Sequence, residues 1–382
     1  MRDPRIELNN LEAEGLRRTL RQLASPQGTE IALSSGKKLI NFSSNDYLGL
    51  ANSEEVKNAF CQNIEIHGAG SGASRLVCGT LRAHTELEQK LASLKRTEAC
   101  LTFSSGFATA TGALPALCGK GDVIILDKLC HASLIDGARL SGATMRIFPH
   151  NDLEKLSSHL SWAIEHTSDD SRIIIVTESI FSMDGDRAPL EEICRITTPS
   201  PAMLLVDEAH AFGVCGPQGR GLAAELSLES EVDLQMGTFS KALGLSGGYL
   251  CASQDIVDLL INRARSFIYS TSPSPALAAT IADTLDLAAG PRGDQLRDAL
   301  WTNIRQFSEQ PESAIIPYII GDNEAALAAS SDLHSRGFLV PAIRYPTVPR
   351  GTARLRVTLS ANHTSKQIQS LKAAIKASPS SP

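Results

Sequence analysis

Residues 202–210 read AMLLVDEAH. Four apolar residues, Met203 to Val206, run without a polar break and stop at Asp207, with His210 three positions on. So short an unbroken apolar run predicts a strand buried on both faces, as in a parallel sheet. Residues 172–178, RIIIVTE, repeat the pattern and end on Glu178. Further strands are expected at Ala99–Phe103, Asp122–Asp127, Thr144–Phe148, Leu234–Thr238 and Gly248–Ala252. Helical stretches separate most of them, and that alternation predicts an α/β layer fold with a mostly parallel sheet. Ligands in such sheets sit at the carboxyl ends of the strands, where Glu178 and Asp207 fall.

Upstream, residues 1–30 read as an amphipathic helix, with Leu8, Leu11, Leu16, Leu20 and Leu23 near helical spacing. Residues 31–43 read as a hairpin turning at Ser34-Ser35-Gly36. Downstream, the Ser/Pro-rich stretch 270–275 marks the approach to a new unit near 280, with a helix near 322–337 and strands at Leu339–Arg344 and Arg354–Leu359. The expected organisation is therefore 1–45 as helix and hairpin, 46–280 as the large domain and 281–382 as a small α+β domain. The tail SPSSP is expected to be disordered.

The 382 residues carry 36 Lys+Arg against 42 Asp+Glu, so 36 − 42 leaves a net charge of −6. A nucleic-acid binder needs a basic footprint, so none is expected as partner. No apolar run approaches the ~18 residues of a membrane span. The charged N-terminus lacks the apolar core of a signal peptide, and a cytoplasmic protein is expected. Eight cysteines, at 61, 78, 100, 118, 130, 194, 215 and 251, lie at least 12 apart, so no zinc-type spacing occurs and they read as reduced thiols. Glycine is plentiful at 28 residues while aromatics reach only 5%. That leaves a choice between loop material and a site where backbone approaches a ligand.

Three motif matches fail on context. Gly68–Ala73 lacks the GxGxxG spacing of a dinucleotide loop. Asp207-Glu208-Ala209-His210 matches a DEAH box, but no GxxxxGK[ST] phosphate loop accompanies it. Gly244-Leu245-Ser246-Gly247-Gly248 fits GxSxG, yet a strand rather than a helix follows it. Other segments carry more. Lys241 sits among small residues directly after an apolar strand, and an amine held in a dry site becomes a usable nucleophile; a surface loop lysine is the plain alternative. Ser104–Thr109 opens an Ala-rich helix, whose N-terminal N–H groups suit a phosphate or merely need a cap. His131 follows a strand end. One of Arg344, Arg354 and Arg356 has the chemistry to clamp a carboxylate. A helix-start anion site, a strand-end acid and a site lysine form the set that pyridoxal phosphate requires.

In these segments the sequence resembles the α-oxoamine synthases, fold-type I enzymes dependent on pyridoxal phosphate. The resemblance covers about residues 10–365. It rests on NFSSNDYLGL (41–50), GSGASRLVCGT (70–80), FSSGFATATG (103–112), DKLCHASLIDG (127–137), TESIFSMDGD (177–186), VDEAHAFGVCGPQGRG (206–221), TFSKALG (238–244), IYSTSPSP (268–275) and PTVPRGTARLRVTLSANHT (346–364). It implies a mostly parallel seven-stranded sheet with helices on both faces, a smaller α+β domain, and a homodimer with the active site at the interface. By position, Lys241 is implied to attach the cofactor and move protons, and Asp207 to pair with the ring nitrogen. His210 and Ser182 are implied at the ring hydroxyl and His131 on the ring face. Gly106, Phe107 and Thr238 are implied at the phosphate, with Thr271 reaching the phosphate bound to the neighbouring subunit. Arg356 is implied to hold the amino-acid carboxylate, and Arg17, His131 and Thr347 to contact substrate. NDYLGL and GSGASRLV lean towards a member that condenses L-alanine with a pimeloyl thioester, with loss of CO2; members using glycine or serine share the mechanism. Ala110 stands where the family often has Asn.

Overall fold

The computed structural model describes residues 3–377; the SPSSP tail lies outside them. The chain divides into two compact units. The larger gathers Ser53–Ser182 and Asp186–Arg297; the smaller gathers the chain up to Asn52, Met183–Gly185 and the part from Asp298 onward. The first 52 residues thus group with the C-terminal part, and the helix Pro275–Ala289 with the larger unit.

The larger unit holds the seven expected strands: β1 (Ala99–Phe103), β2 (Val123–Asp127), β3 (Thr144–Phe148), β4 (Ile173–Glu178), β5 (Met203–Asp207), β6 (Leu234–Thr238) and β7 (Gly248–Ala252). They form one sheet in the order β1-β7-β6-β5-β4-β2-β3. Only β7 runs antiparallel to its neighbours, so β1, β2, β4, β5 and β6 present their carboxyl ends at one rim. Every residue of β2 and β4 is buried, which is why those strands read as apolar runs rather than alternating ones. The helix α1 (Gly106–Leu117) follows β1, and α2 (Ala132–Ser141) follows β2. Leu114, Leu134, Ile124, Ile174, Leu205 and Leu250, each at or near 0% exposure, join helices and sheet in one apolar core. Burying each such side chain is worth roughly 1.5–3 kcal/mol.

The smaller unit carries two three-stranded sheets. One orders Glu30–Ala32, Lys38–Asn41 and Phe338–Leu339; the other orders Ile315–Gly321, Ala353–Thr358 and Ala342–Ile343. Two expectations need correction here. The first helix spans only Pro4–Ala13 and buries none of its residues. Gly15 takes a positive φ of 64°, which stops it, and a short helix without tertiary burial gains little from extension. Leu23 instead packs with Leu33 on Ile31, Leu39 and Leu339. The expected strand 339–344 is two short strands in different sheets. Pro341 stands between them and has no N–H to continue a ladder. Of the eight cysteines, six are buried and all are free, and no helix among the described residues is long and apolar enough to cross a membrane.

Candidate active site

The carboxyl-end rim of the large sheet opens into a cavity of about 210 Å3. Its floor is set by strand ends. Glu178 closes β4 and Asp207 closes β5, and the two face each other as register partners on adjacent parallel strands. Both line the cavity and are nearly fully buried. Asp207 Oδ1 accepts the Ala209 N–H at 2.9 Å. Burial pushes its carboxyl above the ordinary range, while Lys241, that N–H and His131 oppose the shift. Glu178 is pushed much further, by burial and by the charge of Asp207, with Lys241 opposing. Two carboxyls this close in a dry site do not both ionise readily. Lys241 opposes the shift on both acids, and Asp207 has His131 and the Ala209 N–H besides, so the balance favours the negative charge on Asp207 and the proton on Glu178.

Lys241 lines the cavity from the turn after β6. Phe239 N–H donates to Gly247 O at 3.1 Å, Leu245 N–H to Phe239 O at 2.9 Å and Gly244 N–H to Lys241 O at 2.9 Å. Gly244 meets this tight turn with φ 69°, a conformation glycine adopts without a Cβ clash.

The opposite wall is the start of α1. Ser105 caps it, its Oγ accepting the Ala108 N–H at 3.0 Å. Gly106 and Phe107 follow in the first turn, where N–H groups have no intrahelical acceptor, and both line the cavity. Thr238 and Ser240 lie on the same side; their hydroxyls are 2.8 Å apart, and Thr238 Oγ1 donates to Gly247 O at 2.6 Å. Gly248 makes this approach possible, since a Cβ there would lie 2.6 Å from Gly106 N.

His131 forms a third wall and caps α2: its Nδ1 accepts the Ser133 N–H at 3.3 Å and lies 2.8 Å from Ser133 Oγ. Its backbone N–H donates to Glu178 Oε1. The residue keeps surface exposure, yet crowding by protein desolvates the ring and holds its pKa below the ordinary histidine range, against the pull of Asp207. His210 completes the lining, 6% exposed.

The cavity therefore brings together Gly106, Phe107, His131, Asp207, His210, Thr238 and Lys241 of the expected residues. Ser182 and Thr271 belong to the same unit but do not line it. Thr271 is exposed and forms a bridge to Ser74. Glu178, at the strand end where ligands were expected, and Ser105, in the expected helix start, also line it, together with Ser133 and Ser240. The strand-end position of Glu178 was the available signal. The acid of the DEAH match is accounted for: buried Glu208 accepts the N–H groups of Leu222 and Ala223, each at 2.9 Å.

In the smaller unit, Arg356 is 5% exposed and donates to Asn45 Oδ1 at 3.2 Å and Thr358 Oγ1 at 3.0 Å. Arg354 binds Asp184 and the Thr352 carbonyl. Arg344 donates to Arg17 O at 3.4 Å, and Arg18 to Thr347 Oγ1 at 3.1 Å, so Arg17 and Thr347 belong to one exposed cluster.

The donor set fits pyridoxal phosphate. Amides and hydroxyls at a helix N-terminus suit a phosphate, a buried carboxylate suits a protonated ring nitrogen, and an amine faces the space between.

Comparison with known proteins shows the family to which the chain belongs. Residues 37–375 match the model of the aminotransferase class I and II family. A protein of Geobacter sulfurreducens named 8-amino-7-oxononanoate synthase is 44% identical over 379 residues, covering 97% of this chain and 96% of its own. One from Symbiobacterium thermophilum with the same name is 40% identical, covering 96% and 95%. A serine palmitoyltransferase from S. paucimobilis with a bound PLP–myriocin aldimine superposes with TM-score 0.89 at 31% identity, covering 98% and 96%. An 8-amino-7-oxononanoate synthase from Francisella tularensis gives TM-score 0.75 at 29% identity, covering 88% and 96%.

Proposed function

Since this chain belongs to the class I and II aminotransferase family, we propose that it acts as an 8-amino-7-oxononanoate synthase. It would condense L-alanine with pimeloyl-CoA, or a pimeloyl-carrier thioester, releasing the thiol and CO2 in an early step of biotin synthesis. The observation that carries this choice is the shared name of relatives 40–46% identical over nearly the whole chain. The fold is that of the fold-type I transferases, and the cofactor is pyridoxal phosphate. When bound, that cofactor supplies an electron sink for charge developing at the amino acid's α-carbon.

The chain's own residues have separable tasks in this reading. Lys241 would hold the cofactor, and its amine would take and return the proton at the amino acid's α-carbon; such acid–base help is worth ~10²–10⁴-fold. Asp207, the acid of the pair on which the charge is favoured, would hold a proton on the ring nitrogen and so preserve the sink. His131, in the cavity wall, would pack against the cofactor and help orient the acyl substrate. His210 and Ser182 hold the ring hydroxyl. The amides of Gly106 and Phe107, with Thr238, hold the phosphate, and Thr271 does so for the neighbouring subunit of a homodimer. Arg356 takes the amino-acid carboxylate, and Arg17 and Thr347 contact the acyl thioester. We place the enzyme in the cytoplasm.

A thiol-release assay across alanine, glycine and serine, each with pimeloyl, acetyl, succinyl and palmitoyl thioesters, tests the substrates. Alanine with the pimeloyl thioester should turn over fastest. Preference for glycine with acetyl-CoA would reassign the chain to glycine C-acetyltransferase activity. Borohydride fixation should place the cofactor label on Lys241; a label on any other lysine removes the assignment of the site.

A further inference from the structure

Bonded to the strand-end acid Asp127, four residues before His131, is a titratable group that the mechanism leaves unused. His150 stands between two carboxylates. Its Nδ1 lies 3.1 and 3.2 Å from the two oxygens of Asp127, and its Nε2 lies 2.7 Å from Asp186 Oδ2. Carboxylate oxygens only accept, so both ring nitrogens must donate, and only the imidazolium does that. The ring edge is packed on Phe181, centroids 4.3 Å apart, and Asn151 Nδ2 also reaches Asp186 Oδ2 at 3.2 Å.

Each carboxylate controls a segment that delivers a site residue. Asp127, fully buried, accepts the N–H groups of Leu129 at 2.7 Å and Asn151 at 2.8 Å, and its carbonyl accepts Cys130 N–H at 3.2 Å. Those bonds build the turn Asp127–Cys130 that hands over to His131. Asp186 closes the loop that carries Ser182: Phe181 N–H donates to Asp186 O at 3.0 Å, and Ile180 bridges Arg187. Without the histidine, two acids would face each other across the gap, and their repulsion would drive the turn and the loop apart.

We propose that His150 is a positioning residue for the cofactor, tying the turn that presents His131 to the loop that carries Ser182 so that the two segments keep a fixed register around the bound ring. This rests on reading the cavity as the pyridoxal phosphate site. The effect runs through two other side chains, and second-layer partners of ligating groups commonly cost about 10-fold or more when lost.

The test titrates pyridoxal phosphate into the full apo-chain and records the visible circular dichroism of the bound cofactor, which reports ring tilt. His150→Gln should weaken binding about 10-fold and alter the dichroic band. In a His131→Ala, Ser182→Ala background the same change should cost less than about threefold, because its route is gone. Unchanged affinity and dichroism in His150→Gln overturn the proposal, as does an undiminished loss in that background, which marks a general structural role. If His150→Gln fails to fold, Asp186→Asn keeps an acceptor for Nε2–H and removes one charge. It should still weaken binding and shift the band, and wild-type values there overturn the proposal equally. A wild-type chain that takes up no pyridoxal phosphate would instead overturn the cofactor reading, and this proposal with it.

Discussion

Two glycines meet beside the helix-start wall of the cavity, and the structure assigns them opposite tolerances. A methyl group added at Gly106 would lie 3.5 Å from Thr238 Cβ, an ordinary contact. One added at Gly248 would lie 2.5 Å from Thr109 Oγ1, 2.6 Å from Gly106 N and 2.7 Å from Ser105 C. Relief to 3.4 Å, where ordinary contact begins, requires 3.4 − 2.6 = 0.8 Å of movement at the Gly106 amide. Thr109 has little freedom to yield, because its hydroxyl donates to Ser105 O at 2.9 Å. Overpacking of this kind costs about 1–3 kcal/mol. The displaced amide is also one proposed to hold the phosphate, and misplacement on the scale of 1 Å costs up to ~100-fold where geometry matters. Gly248→Ala should therefore lower the thermal midpoint of the apo-protein and weaken pyridoxal phosphate binding by roughly 10- to 100-fold. Gly106→Ala, at a helical position without strain, should bind within about threefold of wild type, under ~0.7 kcal/mol. Parallel cofactor titrations and melting curves decide it. Equal binding by Gly248→Ala and wild type, or a larger loss in Gly106→Ala, would refute the steric reasoning.

Two further outcomes follow from the buried charges. Asp127 and Asp186 together outweigh burial and raise His150 to about 10. A histidine raised above its unfolded value of ~6.5 stabilises fully below that pH and loses the contribution as pH climbs through about 10. The interval corresponds to roughly 5 kcal/mol, reduced to ~2 kcal/mol for a side chain that is 25% exposed. Denaturant melts at pH 6 and pH 10 should show wild type losing about that much more than His150→Gln; parallel losses would contradict the ion-paired ring. Glu178→Gln should leave cofactor affinity within about threefold, since a glutamine still accepts the His131 N–H and replaces a carboxyl already neutral. A loss as large as that of Asp207→Asn would place the charge on Glu178 instead.

The large sheet was legible because its strands obey a local rule. Ile173–Val176 and Leu204–Val206 are buried on both faces, and that environment writes itself into the sequence as unbroken apolar runs. The N-terminal helix obeyed its own pattern only as far as Ala13. Leucine spacing continues beyond it, but Leu20 is fully exposed, and Leu23 answers to the small sheet formed with Leu33 and Leu339. Helical periodicity states what a segment is able to bury; whether a partner surface exists is decided elsewhere in the chain. The split of 338–343 between two sheets has the same origin. Phe338 pairs with Ile40, and Ala342 with Leu355, and only those distant partners determine which side of Pro341 joins which sheet.

The site divides along the same line. Asp207, Lys241 and Gly106 announce themselves because each sits where its own strand ends or its own helix begins, and that placement is local. The pairing of Glu178 with Asp207 is a matter of register between strands, which no single segment encodes, and it is this pairing that decides which of the two acids stays charged. Gly248 lies far along the chain from Gly106, so its glycine reads as a strand irregularity until the two are seen in contact. His150 sits just past the end of β3 in a stretch with no recognisable signature, and acquires meaning only through acids 23 residues before it and 36 after. Residues that line the cavity are therefore more legible than those that hold them. The first answer to the chemistry of their own segment, the second to neighbours the fold supplies.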